Sequence, residues 1–336
     1  MSVSATVRML VFLALCILAG EASAARLPKF RVTDLGSLNG SGGARAEAIS
    51  GILHSRIAGS APSAEGPYHA FAYAGGAMTD LGALVAGGDS YANGINAAGV
   101  ACGYARAADQ SLHAILYRDG GLVDLSALYG LMANAVPEAI NRAGHLIIID
   151  GDSTYLYAKE KMHRLYGGTG RGLDDFDRVA GTENRVAILY DHGTITPLGT
   201  LGGSASDAFA TANTAMPMVT GQAYLPTDEL SHAFIWKPSS GMTDLGTLGG
   251  SISQGLAINR MGAVVGWSTV GPFNNHTHAF LAIDGRMLDL NDLLDVSTGT
   301  GWLLQRAAGI DDVGRIVGSG THDGIDSAFE LTLLRP

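Results

Sequence analysis

Cysteine is nearly missing from this chain: there are two in 336 residues. Cys16 lies in an N-terminal apolar run, which leaves Cys102 alone beyond it, so no intrachain disulfide can brace the remainder. Charge is also scarce, at 15% of residues, and weighted toward acid: 21 Lys and Arg face 31 Asp and Glu, for a formal net charge of −10. That balance argues against nucleic acid or anionic membrane as partners, because their phosphates want Lys and Arg. No apolar run after the N-terminal one is long enough to span a bilayer. A nucleophile elbow and zinc-ligand spacing are absent. LGGSAS and LGGSIS are Gly-rich but open no helix, and GTGRG (168–172) lacks the following Lys, so neither reads as a phosphate loop.

Glycine is plentiful, at 47 residues, within a chain that is 47% hydrophobic. This is a turn-rich, strand-rich composition and not a disordered one, and its stability must come from burial. At the N-terminus, Arg8 precedes MLVFLALCILAG (9–20), and Ala22-Ser23-Ala24 forms a small-residue cleavage pattern. Residues 1–24 therefore read as a secretory signal peptide, leaving one domain over 25–336. Cys16 follows Leu15, where a lipoprotein signal wants a small residue, so no lipid anchor is expected. The expected location is periplasmic or extracellular, and the expected state is a monomer.

A phrase recurs along the chain. HAF stands at His69, His232 and His278, and HAI at His113; DLG follows at Asp34, Asp80 and Asp244, and LGTLGG occurs at 198–203 and 245–250. The unit is clearest from Gly255 to Leu290: a segment ending in AIN, then GAVVG, then HAFLA, then MLDL. Each piece is short, rich in β-branched or aromatic residues, and bounded by Gly or Asn, which predicts four antiparallel strands. In AINRMG, Asn259 can bond its own backbone two residues on, and Gly262 can take the left-handed conformation that ends a tight hairpin. The third strand is apolar on both faces, with Phe234 and Trp236 on one and Ala233 and Ile235 on the other, as expected of a strand covered on both sides.

Third strands can be aligned seven times, opening at His69, His113, Ser153, Val186, His232, His278 and Ser327. Fourth strands also count seven, around Asp34, Asp80, Asp124, Arg164, Pro197, Asp244 and Asp289. The ends are complementary: FRVTDLG (30–36) is a fourth strand without its first three, and GIDDVGRIVGS with SAFELTLL supplies three without a fourth. The expected fold is therefore an all-β propeller of seven four-stranded blades, closed by the N-terminal strand joining the C-terminal blade. HAFIW, HAFLA, MTDLGTLGG and AINRMGAVVGWS resemble the HAF family of bacterial extracellular repeats. The resemblance implies a secreted repeat protein and carries no catalytic residue.

The repeated His69, His113, His232 and His278 and the repeated Asp34, Asp80, Asp124, Asp244 and Asp289 read as folding chemistry. Equivalent positions on separate blades cannot ligate one ion, and each His is expected to bond a neighbouring carbonyl or the DLG carboxylate. Function is expected where the repeat breaks. LDDFD (173–177) offers Asp174, Asp175 and Asp177 as candidate calcium ligands, although a solvated turn is the simpler reading, since EF-hand spacing and its closing Glu are missing. Trp267 and Trp302, the latter placed in a loop, are candidates for stacking on a sugar ring. PFNNHTH (272–278) and NDLLD (291–295) read as loops, the first a conceivable transition-metal site. Cys102 aligns with Val265 and reads as a buried small residue. No cofactor is expected.

These features point to a secreted binding or structural module that presents the loops 59–68, 266–278 and 295–306 to a carbohydrate or protein partner. The rival is a propeller enzyme acting on polysaccharide or peptide. The discriminating feature is whether acidic, basic or His side chains from different blades converge at the channel mouth, or whether Gly, Ala, Ser and aliphatics line it.

Overall fold

The computed structural model describes residues 27–51, 55–271 and 276–334, so the signal-peptide expectation for 1–24 lies outside the described residues. The recurring apolar phrases form strands throughout. Strand β1 (Phe30–Asp34) precedes β2 (Arg45–Ser50), β3 (Arg56–Pro62), β4 (Tyr68–Ala74) and β5 (Ala77–Asp80). There follow β6 (Ser90–Ile95), β7 (Ala101–Arg106), β8 (Leu112–Arg118), β9 (Gly121–Asp124) and the short helix α1 (Leu125–Tyr129). Next come β10 (Val136–Ile140), β11 (Leu146–Asp150), β12 (Ser153–Ala158) and β13 (Lys161–Gly167), then β14 (Thr169–Leu173), β15 (Val179–Glu183), β16 (Val186–Asp191) and β17 (Thr194–Gly199). The last part holds β18 (Ser206–Thr211), β19 (Val219–Tyr224), β20 (Ser231–Lys237), β21 (Gly241–Asp244), β22 (Gly249–Ile258), β23 (Val264–Val270), β24 (His276–Ile283) and β25 (Arg286–Asp289). A one-turn helix α2 (Val296–Gly299) leads to β26 (Trp302–Ile310), β27 (Ile316–His322) and β28 (Ile325–Leu333).

These strands pair as antiparallel meanders of four, and the groups β18–β21 and β22–β25 are joined into one larger sheet by a single parallel bridge, Ser231 to Ile252. Strand β1 pairs with β28 over its whole length, from Phe30 opposite Leu333 to Asp34 opposite Phe329. It thereby completes the order β1-β28-β27-β26. The first strands of successive groups touch one another all the way round, from β2 through β6, β10, β14, β18, β22 and β26 back to β2. They form the inner wall of a ring, and the fourth strands form its outer edge. The chain is a β-propeller.

The two-faced third strand explains how the groups pack. Phe234 turns toward the preceding group, where it meets Leu189 and Leu198. Ala233 turns toward the following group, beside Val264 and Phe280. The same division holds for Phe71 and Ala70, Phe280 and Ala279, and Phe329 and Ala328. These four phenylalanines are fully buried, and each contributes roughly 1.5–3 kcal/mol through the area it removes from water. A small residue on the opposite face lets the next group approach.

Three loop expectations need correction. Residues 59–62 belong to β3, β23 runs on to Val270, and Trp302 opens β26 instead of sitting in a loop. Each hairpin carries its ladder further than the repeat's shortest copies suggest. Within NDLLD, residues Asn291–Leu293 form a turn of 3-10 helix.

Candidate binding site at the channel mouth

The repeated His and Asp lie on the rim. His69 Nδ1 is 2.9 Å from Asp80, His113 is 2.8 Å from Asp124, His232 is 2.9 Å from Asp244, and His278 is 2.6 Å from Asp289. The other carboxylate oxygen caps the turn that follows, accepting from Gly82 N at 2.7 Å and from Gly246 N at 2.7 Å. Asp34 accepts from Gly36 N in the same way, and its His partner is His322, at 3.1 Å. Each pair stays within its own four-stranded group, so the rim pairs do not converge. The serines of the Gly-rich links tie groups together: Ser206 accepts from Ala187 N, and Ser253 accepts from Ala233 N at 2.8 Å.

The hairpins joining first to second strands form a belt at the opposite end of the ring. Asn259 Oδ1 accepts from Met261 N and Ala263 N, and Gly262 closes the turn at φ +79°. Asn259 Nδ2 donates to the Asp311 carbonyl of the next hairpin at 3.1 Å, just as Asn96 reaches Asn141 and Asn141 reaches Asp174. Where Asp replaces Asn, the side chain has no donor. Arg178, four residues after Asp174, restores it: Nε bonds Asp174 at 2.7 Å and Nη2 reaches the Thr214 carbonyl of the next hairpin at 2.5 Å. Arg315 does the same for Asp311, bonding it at 2.6 Å and the Gly51 carbonyl beyond.

LDDFD is one of these hairpins. Asp174 faces Arg178, with both side chains almost fully buried. Burial pushes the Asp174 carboxyl up, and Arg178 and the turn amides pull it back. Asp175 accepts from Asn213 at 2.7 Å and Arg142 N at 2.9 Å, and Asp177 lies 2.9 Å from His145. Among the described residues no three His, Cys, Asp or Glu side chains are grouped to hold a metal. Part of PFNNHTH, residues 272–275, lies outside the described residues. Cys102 is buried beside Leu116 and Leu146, and burial pushes its thiol up, away from thiolate chemistry.

Variation is concentrated on the inner wall. Each first strand carries a β-bulge at the same place, in AEA, ANG, PEA, GRG, AFA, GLA and AAG. The extra residue is Glu47, Asn93, Glu138, Arg171, Phe209, Leu256 or Ala308. A bulge re-aims one side chain out of the ladder. It also drives the preceding carbonyl into the second strand, and this explains the second-strand glycine. A Cβ on Gly266 would sit 1.8 Å from the Gln254 carbonyl oxygen, and one on Gly103 would sit 2.0 Å from that of Tyr91.

The re-aimed side chains and their neighbours meet around the wall. Arg306 bonds Glu47 at 2.7 Å, Asn93 donates to the Pro137 carbonyl at 3.0 Å, Arg171 stands 3.8 Å from Glu138, and its guanidinium lies over Phe209 at 5.5 Å. Burial raises the Glu138 carboxyl above its ordinary range, and Arg171 offsets part of that rise. One register closer to where the first strands begin, Tyr91 stacks on Tyr104 at 4.9 Å and on Tyr68 of the preceding group at 6.2 Å. Across the ring, Trp267 Nε1 donates to Gln254 at 3.1 Å, Gln254 donates to Gln222 at 2.6 Å, and Thr182 donates to Asp207 at 2.8 Å. Acidic and basic side chains of adjacent groups thus pair along the wall, in two separate places, with aromatics and amides beside them.

Sequence reasoning missed these wall residues. Their signal was the one unlike residue inside an otherwise small-x-small repeat. Of the two tryptophan candidates, Trp267 lies on the second strand β23 and bonds the wall residue Gln254. Trp302 stacks flat on His322, with centroids 4.6 Å apart, and edge-on to Phe329.

No family model and no curated protein matches the chain. Solved structures do match in fold. A catalytically inactive virginiamycin B lyase from Staphylococcus aureus with quinupristin aligns at TM-score 0.52 and 11% identity, over 91% of this chain and 100% of that one. The extracellular domain of the one-component system BT4673 from B. thetaiotaomicron aligns at TM-score 0.53 and 11% identity, over 89% of this chain and 39% of that one. At such identity the likeness is one of fold alone. Among the described residues no helix is long and apolar enough to cross a membrane.

Proposed function

We propose that the protein is an exported, seven-bladed glycan-binding module whose ligand sits at the mouth of the channel where the first strands begin. One observation carries this reading: aromatic rings and planar hydrogen-bonding groups of neighbouring groups contact one another near the end of the ring where the first strands begin. Tyr68, Tyr91, Tyr104 and Trp267 offer rings, and Gln222, Gln254, Asp207 and Arg306 offer amide, carboxylate and guanidinium groups. A sugar presents apolar C–H faces and a rim of hydroxyls, and it needs both kinds of partner. The HAF resemblance and the apolar N-terminal run support export.

The test is a thermal-shift and intrinsic-fluorescence screen of 25–336 against soluble envelope and plant oligosaccharides. A ligand at a hundredfold excess over Kd stabilises the fold by about 2.7 kcal/mol. The expected result is a glycan-dependent shift that Tyr91→Ala and Trp267→Ala each weaken at least tenfold. A shift that both variants leave intact would move the site away from this mouth.

A second reading, polysaccharide hydrolysis, is favoured by Glu138 and Glu47, two channel carboxyls in unlike surroundings, one raised by burial and one paired with Arg306. Its expected signature is new reducing ends from a bound glycan, lost in both Glu138→Gln and Glu47→Gln. Binding without cleavage would remove it.

A further inference from the structure

In the closing group the repeat is broken beside a cavity. In four groups a histidine begins the third strand and fills the space beside the fourth-strand carboxylate. In the closing group the equivalent residue is Ser327, because Ser327 stands opposite Gly320 as His69 stands opposite Ala61. The carboxylate is kept, as Asp34 on β1. The imidazole is supplied from the side by His322 at the end of β27, 3.1 Å from Asp34 and stacked within 7° of parallel on Trp302. A small side chain replacing a large one leaves about 330 Å³ of space between the β1–β2 loop and the β27–β28 hairpin. The group without a third-strand His at Ser153 has no such gap to leave, because Arg164 reaches across to Ser153 Oγ at 3.2 Å.

The lining defines a chemical class. It offers the carboxylates of Asp34 and Asp323, the His322 ring and the hydroxyls of Ser37, Ser41 and Ser327, and no Lys or Arg among the described residues. A phosphate, sulfate or carboxylate ligand would meet two negative charges with no cation to offset them. With Nδ1 of His322 turned to Asp34, Nε2 is left for a ligand, and carboxylates accept from hydroxyl donors. The volume falls at the lower end of small-molecule sites, which span about 300–1,000 Å³. The pocket lies on the rim, at the same end of the ring as the channel mouth.

We propose that this seam pocket is a subsite for a single neutral sugar unit, built by the His-to-Ser departure at Ser327 and the displaced imidazole of His322. The assignment rests on the glycan-binding reading and extends it from the channel mouth to a second contact on the same face.

The experiment uses the whole chain from residue 25, with 15N-labelled imidazoles. The methyl glycosides of glucose, galactose, mannose and N-acetylglucosamine are titrated into it, with n-butylammonium as a cationic control. The expected result is a saturable shift of the His322 Nε2 resonance with at least one sugar. In Ser327→His, which refills the cavity with the residue four other groups carry, the apparent Kd should weaken at least tenfold. Asp323→Asn should weaken it less and serves as the second variant if Ser327→His folds poorly. No shift with any sugar, an equal shift in Ser327→His, or a shift with n-butylammonium alone would overturn the proposal. With the indoles 15N-labelled as well, the Trp267 Nε1–H resonance in the same titrations reports the channel mouth separately from Trp302, which stacks on His322. Sugars seen by Trp267 but not by His322 sink the pocket alone, whereas loss of both responses sinks the glycan reading with it.

Discussion

The rim and the inner wall of this ring are built from the same strands and obey opposite rules. On the rim, the His–Asp pair recurs with nearly the same geometry in four groups. On the wall, the seven bulged positions carry six residue types, only Glu appearing twice: Glu47, Asn93, Glu138, Arg171, Phe209, Leu256 and Ala308. The hairpin belt sides with the rim, since Asn and the Asp–Arg pair reach the same end by two routes. Repetition marks what each group needs in order to fold against its neighbours. Variation marks positions the fold leaves free, and a ligand can use those.

The largest effect should come from breaking the belt. Arg178→Leu strands the buried Asp174 carboxylate and two carbonyls of the next hairpin. Removing one partner of a buried pair costs about 3–5 kcal/mol, readable as a lowered urea midpoint. Asp174→Asn combined with Arg178→Ala should recover part of the loss, because Asn brings its own donor as it does at Asn141 and Asn259. If the double variant is as unstable as Arg178→Leu, the two hairpin types are not equivalent.

Next comes the glycine beneath each bulge. Gly266→Ala places a methyl in a space held by the Gln254 carbonyl, and overpacking of this kind costs about 1–3 kcal/mol. A rim pair is worth less. His278→Ala removes one half-exposed partnership with Asp289 and should cost ~1 kcal/mol or less. Combining it with His232→Ala, on a separate group, should add the two losses within about 0.5 kcal/mol. Strong non-additivity would mean that the rim acts as one unit.

The smallest effect is expected on the wall, and its sign is reversed. The Glu138 carboxyl is raised by burial, so the folded state holds its proton over a range where the unfolded chain has released it. Stability therefore falls as pH rises from the ordinary Glu range through the raised value. Glu138→Gln removes that loss. Its melting temperature relative to the parent should climb across this window and change little below it. A difference that is flat with pH would show that Glu138 is not held neutral.

Much of the fold was legible because its constraints are local. HAF and DLG fix strand identity, register and even facing: Ala233 and Phe234 must lie on opposite sides of one strand, and the structure turns them to opposite neighbours. The complementary ends predicted the pairing of β1 with β28. The wall was not legible, because a bulge is one extra residue in a strand and sequence periodicity hides it. LDDFD drew attention as an acidic run, but its meaning lay in spacing. Asp174 with Arg178 and Asp311 with Arg315 repeat a four-residue interval, and Asn stands alone where the Arg is missing. Trp302 was misplaced because β26 and β27 extend one another past the length seen in most other groups, β22 and β23 excepted.

The pairing of β1 with β28 also sets an order of events in time. Phe30 must find Leu333, almost the whole length of the chain away, and contacts so distant carry the largest closure entropy and form slowest. A growing chain can assemble its meanders one after another as they emerge. Its first strand, however, has no full ladder partner until β28 exists, only the bonds to residues 294–298. Until then Phe30 and Val32, both buried in the finished ring, lack the cover that β28 supplies. The seam is thus the latch that shuts last, and the chain spends its youth with an open edge.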